Sequence, residues 1–156
     1  MNRRARRRVF MGDASIGEAG TNRGIGVVAS TRASGIWRIL TGILLIVVAL
    51  FHLYLVVVAH VGGTLGVLFV LQSIAALVLA VALFVTRGVL RRIVLVLSLL
   101  FLLGSLAALL LALTVGFFGI TEVWTFTLVP ATVVVEAIGI VVAAIATAVM
   151  LRRRAA

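Results

Sequence analysis

An all-α membrane protein, with four transmembrane helices in an up-down bundle and both termini cytoplasmic, is what the sequence predicts. Three observations predict it. The 156-residue chain is 64% hydrophobic and only 12% charged, with a mean hydropathy of +1.36, far too apolar for a water-soluble domain of this size. Four long apolar runs, each near the twenty residues that span a bilayer, follow one another from Ile39. All 14 basic residues are arginines, and they fall into alternate connections, the pattern that fixes orientation in a membrane.

Taken in order, residues Met1 to about Gly35 form a polar tail. It opens with Arg3, Arg4, Arg6, Arg7 and Arg8 and then turns Gly- and Ser-rich. Few large apolar residues are present to pack, so disorder is expected. The run Arg7-Arg8-Val9-Phe10-Met11 has the look of a twin-arginine signal, but the residues after it are polar where an apolar stretch is needed. A basic arm drawn to anionic lipid headgroups, at about 1 kcal/mol per arginine near the surface, is the expectation. Nucleic acid is not expected as a partner, because no aromatic residues interleave the arginines.

The predicted spans are Ile39 to Ala59, Leu65 to Thr86, Ile93 to Val115 and Pro130 to Leu151. Short links at His60 to Thr64 and Arg87 to Arg92 force antiparallel neighbours. The third link, Gly116 to Val129, is longer. With both termini inside, every arginine lies on the cytoplasmic face, and Trp37 and Trp124 sit at opposite interfaces, where indoles favour the headgroup level. Small residues at four-residue spacing, Gly104, Ala108 and Ala112, then Gly139, Ala143 and Thr147, predict close helix packing. Gly62 and Gly66 share that spacing but straddle a turn, where turn geometry is the expected role.

The polar groups of the spans gather at one depth. His52 lies seven residues before Ala59, Gln72 seven after Leu65 and Glu136 six after Pro130, so each sits ~9–11 Å below the outer boundary. His60 and Glu122 lie just above, as outer-surface polar residues. A carboxyl at the centre of a span costs about 2.5–3.5 kcal/mol on insertion scales, so Glu136 must face protein or water. His52, Gln72 and Glu136 are therefore the candidate intramembrane site, with His52 expected to meet both others. Three readings follow: a hydrogen-bond network fixing helix register, a proton or ion relay, or a metal or haem site. Two histidines eight residues apart on one helix stand ~12 Å apart along its axis, too far to share one metal ion. No metal site and no cofactor is predicted.

Enzyme activity is not expected either. No second intramembrane acid accompanies Glu136, and there is no phosphate loop, dinucleotide fingerprint or Asp-rich motif. With no cysteine in the chain, disulfides, thiolate metal sites and iron–sulfur clusters are ruled out.

At Phe51-His52-Leu53, at Gly66 through Gln72, and at Gly116 through Glu122 with Glu136 beyond, the chain resembles a loose group of uncharacterised small four-helix integral membrane proteins of actinobacteria and halophilic archaea. The resemblance covers roughly residues 35–152. It implies the fold and membrane location, with His52, Gln72, Glu122 and Glu136 as the group's polar positions, and it implies no activity. Small multidrug transporters are similar in size and helix number, but they keep their acid in the first helix. The functional expectation is an accessory or scaffold subunit of a plasma-membrane complex, with a membrane-protein partner or as a homo-oligomer. The alternative is a small proton-coupled transporter or channel-like oligomer that uses Glu136.

Overall fold

The computed structural model describes residues 13–117, 119–126 and 128–152, with side chains from Gly35 onward. Arg3, Arg4, Arg6, Arg7 and Arg8, expected to contact lipid headgroups, lie outside the described residues. The fold is all-helical: α1 (Asp13–Val57), α2 (Gly63–Val85), α3 (Gly88–Thr114) and α4 (Val129–Arg152). Each helix contains a stretch long and apolar enough to cross a membrane; in α1 this is Gly35–Val57. These are the spans of a multi-pass membrane protein. Among the described residues there is no strand, only a bridge between Phe117 and Ile120.

The helix bounds differ from the predicted spans in two places. The first helix starts at Asp13, not near Ile39, so helix runs through a stretch whose composition predicts disorder. No proline interrupts residues 13–57, and a helix already nucleated in an apolar span adds one hydrogen bond for each further residue it fixes. The chain nonetheless divides at Gly35 into two units, Met1–Gly35 and Ile36–Ala156. The third helix starts at Gly88, five residues ahead of Ile93, and takes in Arg91 and Arg92. An apolar-run criterion excludes arginine, whereas the long side chain lets a helix begin within the headgroup layer.

Two buried clusters hold residues 36–156 together. One joins Leu45, Val48 and Ala49 of α1 to Ala76 and Ala80 of α2, Leu102 of α3 and Ala143 of α4. The other joins Leu83, Val94, Leu95 and Ala146, with Trp37 and Met150 packed against it. Alanines dominate the α2 and α4 contributions, which lets the backbones approach closely. Gly139 is buried, and a Cβ added there would stand 3.2 Å from Leu102 Cδ1, so the predicted small-residue stripe on α4 is a packing face. The stripe on α3 packs only in part: Ala112 is buried and Ala108 half-buried, but Gly104 is exposed with open space where a Cβ would go. The arginines with described side chains, Arg38, Arg87, Arg91, Arg92 and Arg152, all lie within a few residues of the second cluster in sequence, and so share its end of the domain.

The turn between α1 and α2 depends on one glycine. The Gly66 N–H donates to Gly62 O at 3.1 Å, and a Cβ on Gly66 would meet the Val61 carbonyl oxygen at 2.4 Å. Backbone cannot swing aside as a side-chain tip does. Gly66→Ala should therefore destabilise the domain by about 1–3 kcal/mol, the usual range for overpacking. Gly104→Ala should be neutral or stabilising, since alanine is the better helix former. Thermal unfolding in detergent checks the pair, and equal melting temperatures would refute the close approach.

Candidate functional site

At the other end of the domain from the arginines, a cavity of about 390 Å³ lies between the helices and the 115–128 loop. Its wall includes His52 of α1, Gln72 of α2, Ser105 of α3, Glu136 of α4 and Glu122 of the loop. The loop is folded back on the end of α3. Gly116 (φ +85°) ends α3, its N–H returning to Leu111 O at 2.9 Å. Phe117 and Ile120 then exchange backbone hydrogen bonds of 2.8 and 2.9 Å, around Gly119 at φ +77°. The Glu122 N–H donates to Ala112 O at 3.0 Å, which ties the loop back to α3. Pro130, in the first turn of α4, needs no donor there.

A relay of side-chain hydrogen bonds crosses three helices beside this cavity. Gln72 Nε2 donates to Ser105 Oγ, and Ser105 Oγ donates to Glu136 Oε1. Glu136 itself is fully buried, at 0% exposure. Its second oxygen, Oε2, is buried without a hydrogen-bond partner among the described residues. Elsewhere the spans handle their hydroxyls differently: Thr41, Ser98 and Thr147 donate at 2.8 Å to the carbonyl four residues back, a satisfaction internal to the helix. Ser73 does this toward Phe69 O at 2.9 Å and also reaches Ala49 O on α1 at 3.0 Å.

His52, Gln72 and Glu136 thus share one cavity, but they are not joined as the sequence predicts. The His52 Nδ1–H donates to Val48 O at 2.8 Å within its own helix. The ring stands edge-on to Phe69, with centroids 5.2 Å apart at 71°. Its remaining nitrogen, Nε2, is the acceptor of the neutral ring. Ser105, which the depth count passed over, is the residue that links Gln72 to Glu136. Glu122 is half-buried, and burial pushes its carboxyl up from the ordinary range. His60 is exposed, at φ +54°, and does not belong to the wall.

The chemistry open to this site follows from its charges. None of the described arginines lies in the wall, so Glu136 has only neutral donors fixed beside it. An isolated carboxylate is costly in a low dielectric, and Oε2 is left to take a proton or a cation. At roughly 30 Å³ per liquid water, the space holds about a dozen waters or one small organic molecule. Comparison of the chain with protein-family models, curated proteins and solved structures gave no match, so the site has to be read from its own chemistry.

Proposed function

We propose that this protein is a small transporter of the plasma membrane that carries protons, or a cation in exchange for them, through the cavity at Glu136. The unpartnered, buried Oε2 beside that cavity carries the reading. A network serving only to fix helix register has reason to satisfy both oxygens, because a half-satisfied buried carboxyl costs more than an apolar residue in its place. A carboxyl that binds and releases its ligand needs one oxygen free. Transport, and not catalysis, is the reading because no second acid is hydrogen-bonded to Glu136 among the described residues, and the Ser105 hydroxyl that donates to it is in turn bonded only by the Gln72 amide, with no histidine or other base beside it. Proton flux into vesicles holding the purified protein and a trapped pH dye tests it. Vesicles no leakier than empty ones under an imposed gradient of pH and potential would count against the reading.

The topology belongs to this proposal. The helices run up-down-up-down with both termini cytoplasmic, which puts the arginine end inside and the cavity end outside. Cysteine scanning checks this in the cysteine-free chain. Gly63, Gly88 and Gly119 lie at φ +62°, +60° and +77° and would be strained by any side chain. Thr64, Thr121 and Val89 are exposed and free of that strain. On intact cells an impermeant thiol reagent should label cysteines at Thr64 and Thr121 and spare one at Val89; the reverse pattern would invert the protein.

A second reading, an accessory or scaffold subunit, is favoured by one observation. Gly104 and Ala107 present an exposed, small-residue face on α3, at which another helix or a second copy of this chain can approach closely. Co-purification of a stoichiometric membrane partner, with no flux by the protein alone, would favour that role.

A further inference from the structure

Among the described residues, the positive charge at the end of the domain away from the cavity has no acidic side chain beside it. Arg38 sits one residue from Trp37, which packs against the cluster of Leu83, Val94 and Leu95. Four residues further along α1, Gly42 lies so close to the Phe84 ring that an added Cβ would meet it at 2.4 Å. The first membrane turn of α1 is thereby held against the end of α2 and the start of α3, where Arg87 and Arg91 stand. Arg91 lies within electrostatic reach of both Arg38 and Arg87. The charges of Arg38 and Arg87 each repel that of Arg91, and an anion among them would relieve this repulsion.

Their donors are prepared for one. Arg38 Nε is buried without an acceptor among the described residues. Arg91 Nε donates to Thr86 O at 2.8 Å, which fixes its guanidinium beside the α2–α3 turn and leaves the terminal nitrogens free. The first turn of α3 begins at the same place. Arg87, its N-cap, makes no side-chain capping bond, and no acidic residue stands in that turn. The acids with described side chains, Glu122 and Glu136, are both in the cavity wall at the other end. A planar guanidinium fork matches phosphate oxygens in paired hydrogen bonds, and free N–H groups at a helix start favour the same charge.

We propose that Arg38, Arg87 and Arg91 form a binding site for an anionic phosphate group at the membrane surface. The group comes either from the headgroup of an anionic phospholipid or from free phosphate. This site is independent of transport at Glu136, and it differs from diffuse attraction of a basic tail because it assigns particular donors.

Delipidated full-length protein in mild detergent tests it, with bound lipid counted by native mass spectrometry and affinity measured by titration. Phosphatidylglycerol should bind at about one per chain, at least about tenfold more tightly than phosphatidylcholine, whose own cation offsets its phosphate. Arg38→Gln and Arg91→Gln should each weaken phosphatidylglycerol by about tenfold or more, the scale of a lost hydrogen bond to a charged group. Arg38→Lys, which keeps the charge and loses the fork, should lose most of that affinity. Arg152→Gln and removal of the charges at Arg3, Arg4 and Arg6 should change it by less than about twofold. If Arg38→Gln does not fold, Arg91→Gln and Arg38→Lys carry the same test. Inorganic phosphate that binds and is weakened by the same variants, with phosphatidylglycerol not bound, would assign the site to free phosphate. Equal losses from every arginine, or equal binding of phosphatidylcholine, would overturn the site.

Discussion

Replacing Glu136 by glutamine should leave the four-helix domain folded and reduce proton flux to that of empty vesicles. The amide keeps an acceptor for the Ser105 hydroxyl and places an N–H₂ where Oε2 now stands without a partner. Shape and hydrogen bonding are thus preserved, but an amide neither takes up a proton nor pairs with a cation. Glu136→Leu separates function from stability more sharply. It removes a buried carboxyl with one oxygen unsatisfied, a cost of about 1–3 kcal/mol. The Ser105 hydroxyl it strands can turn to the carbonyl four residues back, as Ser98 already does. We expect the leucine variant to be inactive and as stable as the parent or more so, by about 1 kcal/mol, the signature of a residue kept for activity at the expense of stability. The measurement is a dye-detected flux assay beside thermal unfolding in detergent. Flux retained by Glu136→Gln would remove Glu136 from the transport path and with it the proposed function.

How much of this was legible in the sequence depended on which physical signal each residue sends. Span length and apolarity are averaged over some twenty residues, so the four spans were readable. Single-residue features were read less well. Arginines at a span edge concealed the start of α3, since hydropathy scores them as polar although their stems pack. Depth counting brought His52, Gln72 and Glu136 to one cavity, because the rise per residue fixes height along a helix. It could not give azimuth, so the predicted contact of His52 with Glu136 is in fact a hydrogen bond from His52 to its own Val48 carbonyl. Ser105 was passed over because a serine in a span usually bonds its own helix. The depth count also gave little signal: Ser105 lies nine residues before the end of α3, ~13.5 Å by helical rise and most of a turn deeper than Glu136, a gap the two side chains close between them. Gly104 misled for the same azimuthal reason, being spaced like a packing residue but turned outward.

Ser105 and Glu136 should be energetically coupled, and His52 and Glu136 should not be. In the parent, Ser105→Ala strands Glu136 Oε1 as well as Oε2 and takes the acceptor from Gln72 Nε2. Leaving buried polar atoms unsatisfied costs about 1–3 kcal/mol. In the Glu136→Leu background the carboxyl is gone, and Ser105→Ala then strands no carboxylate oxygen, removing only the bond from Gln72 and the one the hydroxyl makes within its own helix. The double mutant should therefore lose less than the sum of the singles, with an interaction energy of about 1 kcal/mol or more, in the range that double-mutant cycles find for residues in one network. His52→Leu loses a bond to Val48 O and an edge contact with Phe69, neither of which involves Glu136. Its cost should be the same with or without the carboxyl, within about 0.3–0.5 kcal/mol. Unfolding free energies for the two cycles in a single detergent make the comparison direct. Coupling to His52 with none to Ser105 would mean that the relay across α2, α3 and α4 is wrongly assigned, and that Glu136 draws its hydrogen bond from the first helix instead.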